Sequence, residues 1–95
     1  MATTYLRRYK IQDGQMDVLL VYWRQLIEQR KRFGFRVVFA CVDETHNDLV
    51  WAVEHDGDFE AAEAEYFASP QRAGVIANAP QVMTGVTIGR ATRIL

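Results

Sequence analysis

The segment Phe35–His55 constrains this chain most. It reads FRVVFACV, then the polar stretch DETHND, then LVWAVEH, which is two strands around a tight turn. A strand covered on one face alternates apolar with polar residues. Here Val37, Phe39 and Cys41 are apolar, and so are the intervening Val38, Ala40 and Val42. Leu49, Trp51 and Val53 are likewise interleaved with Val50 and Ala52. Both faces of this hairpin need cover, and a chain of 95 residues has few elements to supply it.

The rest of the sequence says what those elements are. Thr4–Ile11 (TYLRRYKI) is a first strand, with Tyr5, Arg7, Tyr9 and Ile11 on one face and Leu6, Arg8 and Lys10 on the other. Gly14 lies in the break after it. Gln15–Arg32 is a helix, because Met16, Leu19, Leu20, Trp23 and Ile27 recur at helical spacing with Leu26 beside them. Trp23 is thereby placed against the sheet as a packing residue. Arg30-Lys31-Arg32 reads as the polar end of that helix, where cations suit the helix dipole. Gly34 is placed to stop it.

The second and third strands are Phe35–Val42 and Leu49–His55. Asp58 caps a helix over Phe59–Ala68, with Phe59, Ala62 and Tyr66 on one side. Ser69-Pro70 restarts helical geometry, and Gly85–Leu95 is a fourth strand. The order β-α-β-β-α-β predicts a ferredoxin-like α+β fold. It is a single domain over residues 1–95: a four-stranded antiparallel sheet with two helices on one face. Those helices shield one side of the hairpin only. The economical cover for the other side is a second copy, sheet facing sheet, with Val38, Ala40, Val50 and Ala52 suited to the contact.

Composition narrows the partners. Net charge is −1, which provides no overall basic field for nucleic acid. No stretch reaches the roughly 18 apolar residues of a membrane span. The N-terminal MATTYLRRYK lacks the apolar run of a signal peptide. Cys41 is the single cysteine, which fits a reducing compartment, and a cytoplasmic location is expected. The two histidines, His46 and His55, are far apart and make a poor metal set, so neither metal nor other cofactor is expected. No phosphate-cradling glycine loop is present.

The strand, helix and hairpin motifs together carry a family resemblance. YKIQDGQMDVLLVYW, with Tyr9, Gly14 and Trp23, is similar to the first strand and helix of NIPSNAP-type domains. GFRVVFACVDETHNDLVWAVEHDG resembles their hairpin, with its tryptophan in the second strand, and AEAEYFASPQR resembles their second-helix segment. The resemblance spans nearly the whole chain. It implies the dimeric α+β barrel superfamily, whose members pair sheet to sheet and include cofactor-free monooxygenases, cyclases and isomerases.

Only Tyr, His, Arg and carboxylates are on offer for chemistry. A phenol and an imidazole at one pocket can pass a proton to and from a ligand oxygen. Tyr9, Tyr66 and His55 are therefore the candidate catalytic residues, expected to meet at one cavity between sheet and helices. Trp51, Tyr5 and Phe59 are expected to wall it, and Arg7 and Arg90 to favour an anionic group. The expected ligand is small, apolar or aromatic, and ketone-, enol- or phenol-like. The alternative is a non-catalytic interaction or scaffold protein. A cavity of several hundred Å³ with Tyr or His tips would favour the ligand, and a solid core the scaffold.

Overall fold

The computed structural model describes residues 2–95. Strand β1 (Thr3–Ile11) is followed by helix α1 (Met16–Arg32), then by the hairpin β2 (Arg36–Asp43) and β3 (Asp48–His55). Helices α2 (Phe59–Phe67) and α3 (Pro70–Asn78) precede β4 (Met83–Ala91). The strands form one antiparallel sheet in the order β2-β3-β1-β4. The molecule is a slab 17 Å thick, one sheet and one helical layer. This is the ferredoxin-like α+β fold that the element order predicts.

Local chemistry sets the boundaries. Gly34 adopts φ +89, open to glycine at little cost, and a Cβ there would meet His55 Nε2 at 2.9 Å. The hairpin turn closes through Asn47 (φ 56), whose side-chain amide donates to Ile11 O at 2.8 Å. Asp58 caps α2 by accepting from Ala61 N–H, and Ser69 caps α3 by accepting from Arg72 N–H. The expected restart at Ser69-Pro70 forms a separate helix, α3, giving three helices where the β-α-β-β-α-β pattern counts two. Strand β4 runs two residues earlier than expected and stops at Ala91. It pairs there with Thr4, where β1 has only just begun, so residues 92–95 have almost no strand left to join.

The core lies between sheet and helices. Tyr9, Ile11, Leu49, Trp51, Val53, Phe35, Ile27, Phe59 and Tyr66 are buried there. Trp23, Leu19 and Leu20 pack against them half-buried. The open face is built from Leu6, Val50, Ala52, Phe39 and Cys41, which the strand pairing sets side by side. Here the structure corrects the face assignment. A bulge between Val37 and Phe39 leaves Val38 out of the ladder and reverses parity along the rest of β2. Ala40 pairs with Trp51 and so belongs to the helix side, whereas Phe39 pairs with Ala52 on the open side.

Candidate functional site

A cavity of about 180 Å³ opens between the middle of the sheet, α1 and α3. Tyr9 and Arg7 reach it from β1, Trp51 from β3, Trp23 and Arg30 from α1, and Tyr66 from α2. Phe67, Arg72 and the segment 79–83 close its sides. Period-two alternation on β1 sends Arg7 and Tyr9 to the same face, and β3 sets Trp51 directly opposite Arg7. Trp51 is the largest fully buried side chain, with Tyr9 and Trp23 edge-on to it at centroid distances of 6.1 and 5.5 Å.

The polar groups are arranged around that ring. Arg7 Nε donates to Tyr9 Oη at 2.7 Å, so the Tyr9 hydroxyl proton is left to donate elsewhere. Arg30 is only 4 % exposed, and its guanidinium donates to Glu63 Oε2 at 3.2 Å. Arg7 pairs with the same oxygen at 3.6 Å. The Arg30 cation also lies 4.8 Å from the Tyr66 ring centre and 5.4 Å from that of Trp51. Burial, and after it the neighbouring Arg7 cation, pushes the Arg30 guanidinium below its ordinary value. Tyr66 donates its hydroxyl to Leu26 O at 3.3 Å, and burial raises its phenol above the ordinary value. The Trp23 and Trp51 indole N–H groups are buried with no hydrogen-bond partner among the described residues.

Four of the expected site residues meet here: Tyr9, Tyr66, Trp51 and Arg7. The other four are placed elsewhere. His55 does face the helical layer, but at its far end, where both ring nitrogens are engaged. Nε2 donates to Phe33 O at 2.8 Å and Nδ1 accepts from Gly57 N–H at 2.9 Å. That arrangement fixes the Nε2–H tautomer and ties α1's end to β3, leaving no lone pair for a ligand. Tyr5 and Phe59 stack on each other at 4.6 Å beside Phe35 and fill the core instead of walling the cavity. Arg90 pairs opposite Tyr5 on the outer strand and stays exposed.

Sequence reasoning missed Arg30, Arg72 and Glu63. For Arg30 the signal was present: Met16, Leu20, Trp23, Ile27 and Arg30 form one continuous stripe, and the arginine extends it into the core. Glu63 similarly shares a helical face with Phe59 and Tyr66.

No family model and no curated protein sequence matches the chain. Solved structures do. A NIPSNAP family protein of unknown function from Agrobacterium tumefaciens superposes with TM-score 0.81 at 17% identity, covering 99% of this chain and 91% of that one. An uncharacterized NIPSNAP-like domain protein from Burkholderia xenovorans gives 0.85 at 12% identity, covering 98% and 85%. The chain has the NIPSNAP-type fold. A putative antibiotic biosynthesis monooxygenase from Bacteroides thetaiotaomicron shares it too, with TM-score 0.78 at 20% identity over 99% and 90% of the two chains. The NIPSNAP-type fold therefore accommodates proteins described in different functional terms, and function must be argued from the cavity.

Proposed function

We propose that this protein binds a small, largely apolar or aromatic compound bearing an oxygen substituent, in the cavity between Tyr9, Trp51 and Tyr66. The observation that carries this reading is the Tyr9 hydroxyl. It accepts from Arg7 and retains its own proton, at the wall of a cavity otherwise aromatic and aliphatic. A ketone, enol or phenol-like oxygen bound there takes that proton in a hydrogen bond, with the Arg7 guanidinium behind it to hold developing negative charge. This is acid-side chemistry that needs no cofactor. Trp51 supplies the flat wall on which a ring would lie. The putative monooxygenase sharing the fold supports a small-molecule role.

The 180 Å³ volume falls below the several hundred expected, which restricts the ligand to about one ring. The same small volume, with Tyr66 already bonded to the backbone, favours the scaffold protein as the second reading. Heteronuclear NMR with phenol and acetophenone decides between them. A saturable shift of the Trp51 indole N–H is expected, and no shift at millimolar ligand would leave the scaffold.

The working form we propose is a homodimer through the open sheet face, in the cytoplasm. Leu6 and Phe39 are 40% and 44% exposed there, flanking the small Ala52. Ala52→Asp should dissociate the dimer in sedimentation, because it buries an unpaired charge at several kcal/mol. Ala40→Asp, on the other side of the sheet, should leave it dimeric. A wild-type monomer at micromolar concentration would sink the proposal.

A further inference from the structure

Arg7, Arg30 and Arg72 all line the cavity, and among the described residues no aspartate or glutamate does. Their one shared carboxylate, Glu63, lies behind Arg7 and Arg30. Arg72 forms no ion pair among the described residues. Its guanidinium instead lies 4.4 Å from the Phe67 ring centre and 5.8 Å from that of Tyr66, at the edge of the cavity. Three cations and one carboxylate leave a surplus of positive charge around a partly buried space. Burial first, and the like charge of Arg7 after it, lower the Arg30 guanidinium, so the two cations repel in this space. A bound anion removes that repulsion.

Resting on the binding role proposed above, we infer that the ligand is a planar monocarboxylate, a single ring or conjugated body whose anionic group sits among Arg7, Arg30 and Arg72. Geometry selects the class. A guanidinium offers parallel N–H donors that match the two oxygens of a carboxylate. The walls are the Trp51 and Trp23 rings, which suit a flat body. Trp51 lines the same space, and its buried indole N–H has no partner among the described residues. An acceptor oxygen on a ligand lying against that ring would answer it after a small shift of the indole. A bare inorganic anion would leave the aromatic walls unused.

The test compares benzoate with its neutral isostere benzamide, with phenol and sulfate as controls, read by tryptophan fluorescence and by melting temperature. Benzoate is expected to bind and to raise the melting temperature, and benzamide to bind at least about tenfold more weakly, the worth of one charge-assisted bond. Arg72→Gln, a half-buried position at the cavity edge, should keep the fold. It should weaken benzoate about tenfold and phenol by much less, so that the benzoate-to-phenol preference falls. Equal affinity for benzoate and benzamide overturns the monocarboxylate and leaves the binding role standing. Sulfate binding as tightly as benzoate overturns it too, in favour of a simple anion site. Binding by none of the four probes overturns both the inference and the binding role.

Discussion

Both faces of the sheet carry arginines, and the two faces treat them oppositely. Around the open face four cations, Arg8, Lys10, Arg36 and Arg93, meet four acids, Asp43, Asp48, Glu54 and Asp56. Arg8 reaches Asp48 at 2.7 Å and Asp43 at 3.3 Å, and Arg36 reaches Glu54 at 2.9 Å and Asp56 at 2.6 Å. On the helix-covered face the balance is lost, with Arg7 and Arg30 sharing Glu63 alone. Solvent-exposed pairs contribute little to stability and are screened by salt. Cations under a helical layer are costly unless paired. A chain that matches its cations with acids where pairing is worth little, and leaves a surplus of cations where burial is expensive, holds that surplus for something other than stability. The difference separates arginines that brace the sheet from arginines that wait for an anion.

The largest effect expected is at the ring between the two buried cations. Trp51 is 2% exposed, and Arg7 and Arg30 lie 5.5 and 5.4 Å from its ring centre. Trp51→Ala should cost about 3–5 kcal/mol in urea unfolding, from lost burial and a cavity that cannot collapse. The contrast with the open face is direct: Phe39→Ala, at an edge-strand position 44% exposed, should cost much less in the monomer. Similar losses from both would mean that the sheet does not have one well-packed and one loosely packed face.

Next in size is the carboxylate that divides the two regimes. Glu63→Gln leaves Arg7 and Arg30 without their counter-charge, and should lower stability by about 1–3 kcal/mol. The same variant should bind benzoate more tightly than the wild type, because the ligand no longer competes with a resident acid. Asp56→Asn, removing an exposed acid from Arg36, should leave both stability and benzoate affinity unchanged within error. If Glu63→Gln lost benzoate affinity as well as stability, Glu63 would be positioning the arginines and not merely neutralising them.

Much of the architecture was legible because it is written in local periodicity. The stripe from Met16 to Ile27 placed α1, and the alternation in TYLRRYKI put Tyr5, Arg7, Tyr9 and Ile11 on one face, as the pairing has them. Ser69-Pro70 announced the break between α2 and α3. What periodicity does not carry is a register shift. The bulge at Val38 turned Ala40 to the helix side, and nothing in VVFA marks which residue drops out of the ladder. The cavity was half legible for a related reason. Parity put Trp51 and His55 on one face, but their distance along β3 separates a hollow region from a filled one, and the second depends on which aromatic rings interlock. Arg30 was overlooked because a charge next to Lys31 and Arg32 looks like a solvated helix end. Its place on the apolar stripe said otherwise.

The smallest effect sharpens the description of the open face as a brace. The His46 imidazole, donating from Nδ1 at 2.8 Å, is the main cause holding Asp43 down at about 2, and the Arg8 guanidinium adds to it. A carboxyl whose value is lowered on folding contributes stability that is fully present above its ordinary value of 3.8. That contribution fades as pH falls and is lost through about 2. The wild type should therefore exceed Asp43→Asn in melting temperature by a small margin at pH 5, and the margin should close between roughly pH 4 and pH 2. Added salt should narrow the margin at pH 5, since Asp43 and His46 are both open to solvent. A margin that stays constant down to pH 2 would mean that Asp43 supports the turn through its bond to the His46 backbone N–H and shape alone. The ion pairs of the open face would then be bystanders, and the contrast between the two faces would rest on the buried arginines only.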